Sequence, residues 1–219
     1  MTIKPILFNT EMVRAILEGR KSCTRRIVKP QPQSRLCYTF AGSDCGTWGY
    51  PSKTAHESWG DEYRHPKDIT DEELKRRWNP PYHTDDILYV RETWFSDGNR
   101  YMYRANYSDS EKFYHDGEEV KIKWHPSIHM PKEAARIWLK VTDVRVERLQ
   151  DITPQGAWKE GARCSCLHPV PDCAGNKTAF VNIWNSTIKK SDLDWYGWSA
   201  NPWVWVIEFE RCNKPKEEN

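Results

Sequence analysis

The chain has 219 residues, 38% of them hydrophobic, so it is long enough to bury a core within a single domain. Its 33 basic and 31 acidic residues leave a formal net charge of +2, so bulk charge does not indicate a nucleic-acid binder, although a local basic patch stays open. No apolar run approaches the roughly 20 residues of a membrane helix, and the seven irregularly spaced cysteines favour a reducing compartment. We therefore expect a cytoplasmic protein without membrane association.

The first predicted element is a helix over 10–18. Thr10 can cap its N-terminus, apolar side chains recur at helical spacing on one face, and Gly19 is typical of the position after a helix end. A dense polar segment follows, with the sequence Gly-Arg-Lys-Ser-Cys-Thr-Arg-Arg over 19–26. If a helical turn continues through it, Lys21 and Thr24 lie on the same side.

Residues 29–82 are rich in Pro, Ser, Gly and Trp and carry no sustained strand pattern, which predicts an insertion. Within it, Thr70-Asp71-Glu72-Glu73 has the spacing of a capping box and predicts a short helix over 74–78. Cys37 and Cys45 also belong to this segment.

Strand patterns dominate the middle of the chain. A buried strand is predicted over 87–94, an alternating one over 101–106, and another near 120–124 after the turn signal Asp116-Gly117. A long strand is predicted over 136–148, and its alternation changes phase at Thr142-Asp143, as a bulge would require.

Two helices and a strand complete the chain. Thr153-Pro154 predicts a helix start and Gly161 its end, and a second helix is predicted from about 178 to 188. The closing strand covers 202–211, with Trp203 and Trp205 as structural residues, and a polar tail over 213–219 is expected to fray. The sum predicts a single α+β domain over 1–219 whose core is a small, mostly antiparallel barrel with peripheral helices.

Two clusters invite functional hypotheses that we do not favour. Cys164, Cys166, His168 and Cys173 supply four possible zinc ligands, but their spacing differs from that of a standard finger, so we predict a loop of free thiols and no metal. His129, between Ile and Met, is more typical of a packed loop residue and stays a reserve catalytic candidate. We predict no cofactor.

Three segments resemble the ASCH domain. They are Gly19-x-Lys21-x-x-Thr24-x-Arg26 after a helix, the run 86–90 (Asp-Ile-Leu-Tyr-Val), and the run 201–209 (Asn-Pro-Trp-Val-Trp-Val-Ile-Glu-Phe). The runs 126–131 and 144–150 are similar to those of the long ASCH proteins of bacteriophages and prophages. The resemblance covers most of the chain except 29–82, and it implies a PUA-like β-barrel.

The chain departs from the usual ASCH signature at one position, because Thr24 stands where the family has a glutamate. In this it is similar to a small bacterial ASCH subgroup that hydrolyses the amide of N(4)-acetylcytidine with a Lys, Thr and Glu set. The resemblance assigns Lys21 and Thr24 to that set directly, and it assigns Glu160, in the helix after the long central strand, by a shorter match.

Amide hydrolysis needs a nucleophile, a base, an acid for the leaving amine and donors for the oxyanion. We expect a buried Lys21, near cationic arginines, to be neutral and to take the proton of Thr24, giving an acetyl-Thr24 intermediate; attack by an activated water is the close variant. Glu160 would orient Lys21 or donate to the departing amine. The substrate-binding candidates are Arg26, Arg25, Trp94 and Tyr89.

Two other functions stay open, because a fold does not decide a function. The barrel could read RNA or a modified base without catalysis, with Lys21, Arg25 and Arg26 contacting phosphate or base. It could also cleave RNA, with the same cations stabilising the transition state. The expected partner is a small nucleoside, and RNA is the second candidate.

Overall fold

The computed structural model describes residues 1–29, 31 and 79–215, together with the backbone of 37–39 and 47–49. Most of the predicted insertion, including Cys45 and the capping box at 70–73, therefore lies outside the described residues. So do residues 216–219 of the predicted tail.

A five-stranded sheet forms the centre of the fold. Its strands are β1 (Ile3–Leu7), β2 (Cys23–Ile27), β5 (Ile87–Arg91), β10 (Trp138–Arg148) and β11 (Trp203–Cys212). Their order is β1-β5-β10-β11-β2; β1 and β5 are parallel and the other three pairs are antiparallel. The predicted mixed architecture with a mostly antiparallel sheet is confirmed.

Within the described residues, three short hairpins accompany this sheet. They pair β3 (Cys37–Thr39) with β4 (Thr47–Gly49), β6 (Trp94–Ser96) with β7 (Tyr101–Tyr103), and β8 (Phe113–His115) with β9 (Glu118–Val120). The helices are α1 (Thr10–Leu17), α2 (Pro154–Lys159), α3 (Gly175–Thr187) and the one-turn α4 (Leu193–Tyr196). No helix in the described part of the chain is long and apolar enough to cross a membrane.

The described strands do not form a closed barrel, because no backbone pairing joins the edge strands β1 and β2. A side chain links the two edges instead: the guanidinium of Arg26 in β2 donates a hydrogen bond of 2.7 Å to the carbonyl oxygen of Leu7 in β1. The sheet is therefore open, and its two edge strands approach each other at the position of Arg26.

Both faces of the sheet are buried, which the closing strand illustrates. Trp205, Ile207 and Phe209 of β11 join the larger core, which includes Val13 and Ile16 of α1. Val204 and Val206, which alternate with them along the strand, pack with apolar residues of α2 and α3 in a second core. Because successive side chains of a strand point to opposite faces of the sheet, β11 contributes to both cores.

Several element boundaries were predicted correctly from local signals. The register of β10 against β11 shifts between Val141 and Asp143, which confirms the predicted bulge. The α2 helix has Pro154 at its first position, and the hydroxyl of Thr153 accepts the amide hydrogen bond of Gly156 at 3.0 Å. These signals depend on neighbouring residues alone.

Other boundaries differ from the predictions. Asn9, rather than Thr10, caps α1, because its side-chain oxygen accepts from the amide of Met12 at 2.9 Å. The strand predicted over 87–94 is broken at Glu92, whose carboxylate is 1% exposed and accepts two hydrogen bonds from Arg136. The third helix begins three residues earlier than expected, at 175 instead of 178. The strand predicted near 120–124 instead ends at Val120 as the second half of a hairpin.

Candidate active site

The candidate site is a cleft beside the edge strand β2. Its lining residues come from four parts of the chain: Leu7, Asn9 and Met12 from the β1–α1 region, Thr24, Arg25 and Arg26 from β2, Glu160 at the end of α2, and Phe180, Ile183, Trp184 and Thr187 from α3. It encloses about 670 Å³ of atom-free space, its open mouth included. The part of this space that admits the centre of a water-sized sphere is about 170 Å³.

The backbone around Lys21 is held from three directions. The amide of Lys21 donates to the carbonyl of Ala15 at the end of α1 (3.0 Å), and the amide of Ser22 donates to that of Lys159 (2.9 Å). Phe209 of β11 donates to the carbonyl of Ser22 (2.9 Å). Lys21 and Glu160 consequently face each other as an isolated antiparallel bridge.

Lys21 and Glu160 form a buried ion pair. The ammonium nitrogen of Lys21 lies 2.6 Å from a carboxylate oxygen of Glu160, and the two side chains are 0% and 7% exposed. The same nitrogen donates to the carbonyl oxygens of Cys23 (2.8 Å) and Glu160 (3.1 Å). Three acceptors thus surround the Lys21 nitrogen, as many as an ammonium group has protons to donate. A neutral Lys21 stays a prediction.

Arg25 connects this pair to a second carboxylate. Its guanidinium contacts Glu160 at 3.2 Å and donates two hydrogen bonds to one oxygen of Glu147 in β10. Burial alone would lower the pKa of Arg25, but the negative charges of Glu160 and Glu147 outweigh it and raise the pKa. Two cations and two carboxylates thus balance one another beneath the cleft.

Thr24 is buried, at 3% exposure, in the middle of β2, opposite Ile207 of β11. It belongs to a strand, so the helical turn proposed for Lys21 and Thr24 is not formed. Among the described residues, none makes a hydrogen bond with its hydroxyl, although the residue lines the cleft. Because Thr24 borders the cleft, its hydroxyl is placed to bind or attack a ligand.

Arg26 supplies a cation at the same cleft. Besides Leu7, its guanidinium contacts the ring of Phe8, with 5.3 Å between the guanidinium carbon and the ring centroid. No carboxylate in the described part of the chain contacts it. Burial lowers the pKa of Arg26, although an arginine stays charged at neutral pH.

Two aromatic residues of the cleft were not predicted as part of a site. Phe180 and Trp184 have the spacing of one helix face, which is typical of core residues. They are indeed buried, but they also form the α3 wall of the cleft. Helical periodicity identifies a buried face and cannot tell which part of it borders a cavity.

The remaining predicted site residues lie outside the cleft lining. Tyr89 packs against Trp138, with ring centroids 6.0 Å apart, and Trp94 packs against His125 at 5.0 Å. Both belong to a third cluster around Met130. His129 is exposed on a short 3₁₀ turn and also stays outside the lining.

Cys23 lies beside the site, and three other cysteines form a separate cluster. Burial, together with the negative charge of Glu160, raises the pKa of Cys23 to about 12, so this residue is a thiol beside the site rather than a nucleophile. The sulfur atoms of Cys164, Cys166 and Cys173 lie within 4.8 Å of one another. Cys164 and Cys166 are joined as a disulfide, so the prediction of a free-thiol loop is wrong for this pair.

Comparisons with models of protein families, with curated proteins and with solved structures returned no match. The geometry of the cleft therefore carries the functional argument.

Proposed function

We propose that this chain is an ASCH-type amidohydrolase with a PUA-like fold, which removes the acyl group from an N-acylated cytosine nucleoside. Its simplest reaction converts acetylcytidine to cytidine and acetate. One observation carries the proposal: Lys21 and Glu160, 139 residues apart, form a buried pair, and Glu160 and Thr24 both line the cleft. A base, an acid and a nucleophile are the groups that amide hydrolysis needs.

The resting pair is ionic, so Lys21 becomes a base by first passing one proton to Glu160 across the 2.6 Å contact. Arg25 stabilises the Glu160 carboxylate and disfavours this transfer in the free protein. The transfer therefore belongs to the substrate-bound cleft, from which water is excluded. Neutral Lys21 then takes the hydroxyl proton of Thr24 as its oxygen attacks the acyl carbon.

The proton held by Glu160 is used when the tetrahedral intermediate breaks down. The carbon–nitrogen bond breaks, protonated Glu160 gives its proton to the leaving amine, and acetyl-Thr24 remains. A water molecule then attacks the ester while the same pair moves one proton from water to the oxygen of Thr24. Arg26, which contacts no described carboxylate, is the cation we assign to the developing oxyanion. Direct attack by water on the amide is the close variant.

The aromatic wall supports a planar substrate. Phe180 and Trp184 line the cleft opposite α1, and their rings offer apolar faces on which a nucleobase can stack. The aliphatic side chains of Met12 and Ile183 complete an apolar opening. A cytosine with a short acyl group matches this combination of flat apolar walls and polar groups at one end.

The decisive experiment follows the ultraviolet absorbance of acetylcytidine with purified protein. We expect turnover by the wild type, a loss of about 10³-fold or more in Thr24→Ala and Lys21→Met, and partial activity in Thr24→Ser. Lys159→Met is the matched control, because Lys159 is the neighbouring lysine but pairs with Glu208. An inactive wild type, or full activity of both Thr24→Ala and Lys21→Met, would contradict the proposal.

Intact-mass spectrometry separates the two variants of the mechanism. A nucleophilic Thr24 predicts a transient species heavier by one acetyl group, which peptide mapping assigns to Thr24. Direct attack by water predicts no such species at any reaction time.

A nucleic-acid function is the second candidate, and the cationic side chain of Arg26 at the cleft favours it. A reader of RNA or of a modified base would bind with salt-dependent affinity and leave its ligand intact. A ribonuclease would shorten single-stranded RNA. Gel analysis of RNA incubated with the protein, beside the acetylcytidine assay, distinguishes both from the hydrolase.

A further inference from the structure

The loop before α3 brings three sulfur atoms together, and none of their residues lines the cleft. Cys164, Cys166 and Cys173 offer sulfur atoms that all lie within 4.8 Å of one another, and those of Cys166 and Cys173 are 3.7 Å apart. Two thiolates bound to one tetrahedral zinc ion, each at about 2.3 Å, are separated by about 3.8 Å. The spacing of Cys166 and Cys173 thus matches that of two ligands on one ion.

We propose that in the reduced chain these three cysteines bind a zinc ion, with a water molecule as the fourth ligand. A low-molecular-weight thiol reduces the Cys164–Cys166 disulfide, giving two cysteine thiols and the oxidised disulfide of the reductant. The three cysteines then release three protons and bind Zn²⁺ as thiolates. Thiolate sulfur is a ligand type that zinc prefers over harder metal ions such as magnesium.

The surrounding residues form a frame that holds the cysteines in place. Asn176 is fully buried; its side-chain oxygen accepts from the amide of Cys164 at 2.9 Å, and its nitrogen donates to the carbonyls of Val170 and Pro171. Both ends of the loop are therefore fixed by one side chain. Such support around the ligands is typical of a preorganised metal site.

Gly175 shows how closely the chain packs around the cluster. A Cβ atom at this position would lie 2.7 Å from the Cβ of Cys164 and 3.6 Å from the sulfur of Cys173. Any larger residue would therefore push the cysteines apart. Gly175 also begins α3, so Cys173 precedes the N-terminus of a 13-residue helix, whose dipole favours a thiolate there.

The loop buries few apolar side chains of its own. Its apolar residues are on the surface, with Leu167 88% and Val170 52% exposed, so hydrophobic burial contributes little to it. A metal ion that joins three points of such a loop would replace the missing core. This gives the cluster a structural role that is separate from the cleft.

The test measures metal in full-length protein purified with a thiol reductant. We expect one zinc ion at this cluster, a loss of one zinc per chain in Cys173→Ser, and no loss in Cys212→Ser, a control cysteine at the end of β11. Cobalt added to the apoprotein should give a thiolate-to-cobalt charge-transfer band that Cys173→Ser weakens. Because the readout is metal content rather than activity, it is independent of the amidohydrolase proposal.

Two results would overturn the zinc site. One is a reduced wild-type protein that binds neither zinc nor cobalt above the level of Cys173→Ser. The other is a Cys164–Cys166 disulfide that persists in mass spectra after treatment with the reductant, since an oxidised pair cannot supply two thiolates.

Discussion

The ammonium nitrogen of Lys21 lies 2.6 Å from a carboxylate oxygen of Glu160, and the two side chains are 0% and 7% exposed. Arg25 contacts the other oxygen of the same carboxylate at 3.2 Å. Glu160 is thus shared by two buried cations, and each of the three residues depends on the others for its charge.

We predict that removing the Lys21 charge destabilises the fold. In Lys21→Met the Glu160 carboxylate loses its closest partner, and the free energy of unfolding should fall by about 3–5 kcal/mol, as for other broken buried pairs. Urea denaturation measures this loss in the free energy of unfolding. Lys159→Met, which removes a half-exposed partner of Glu208, should change stability by about 1 kcal/mol or less. Equal losses in the two variants would argue against a buried ionic pair.

Arg26 should matter more for catalysis than for stability. Replacement by glutamine removes the cation assigned to the oxyanion, and we expect kcat for acetylcytidine to fall by about 10²–10³-fold. Arg20→Gln is the matched control, because the Arg20 guanidinium pairs with Glu18 outside the cleft. Steady-state kinetics on both variants check the prediction; an unchanged kcat in Arg26→Gln would remove Arg26 from the mechanism.

Asp86 should make the free energy of unfolding depend on pH in the acidic range. Burial alone would raise the pKa of this carboxyl, but hydrogen bonds from Lys4, Thr2 and the amide of His83 outweigh it and lower the pKa well below the ordinary value of 3.8. The unfolded chain then binds the proton more tightly, so this stabilisation is complete above pH 4 and is lost as pH falls below the ordinary value.

Urea denaturation of the wild type and Asp86→Asn at a series of pH values tests this prediction. The variant should be less stable by about 2 kcal/mol at pH 7, and the difference should shrink as the pH falls. The exposed neighbour Asp85 provides the control Asp85→Asn. A difference that stays constant with pH would contradict the role of Asp86.

Gly161 should be needed next to the Lys21–Glu160 bridge. Its φ of +87° disfavours any side chain, and a Cβ atom there would lie 3.1 Å from the Cβ of Ala15 and 3.4 Å from that of Lys21. Gly98 has a similar φ of +91° but open space around it. Thermal unfolding of Gly161→Ala and Gly98→Ala should show about 1–2 kcal/mol of destabilisation from the backbone in both. A larger loss in Gly161→Ala would measure the contacts with Ala15 and Lys21, and equal losses would exclude them.

Local patterns in the sequence were sufficient for several elements. The apolar spacing of α1, the Thr153-Pro154 start of α2 and the bulge in β10 were all predicted from neighbouring residues. The break of the strand at Glu92 was not, because it depends on an ion pair with Arg136, 44 residues away. A boundary that a distant partner determines leaves no local signal.

The sequence by itself determined which residues are candidates for the site. The helix followed by Lys21 and Thr24 is a local motif, and the resemblance to the ASCH domain pointed to Glu160. Only the tertiary structure decided how they are arranged. It brings Glu160 to Lys21 through the bridge between the end of α2 and the segment before β2, and Arg25 to the same carboxylate.

The surroundings of Lys21 and the aromatic wall of the cleft were also decided by the tertiary structure. From sequence we expected a neutral Lys21, since burial and nearby arginines disfavour a second cation; the fold adds three acceptors around its nitrogen. Phe180 and Trp184 border a cavity because of how α3 lies beside β2. Charge state and cavity shape depend on groups distant in the chain, and those become neighbours only when the chain folds.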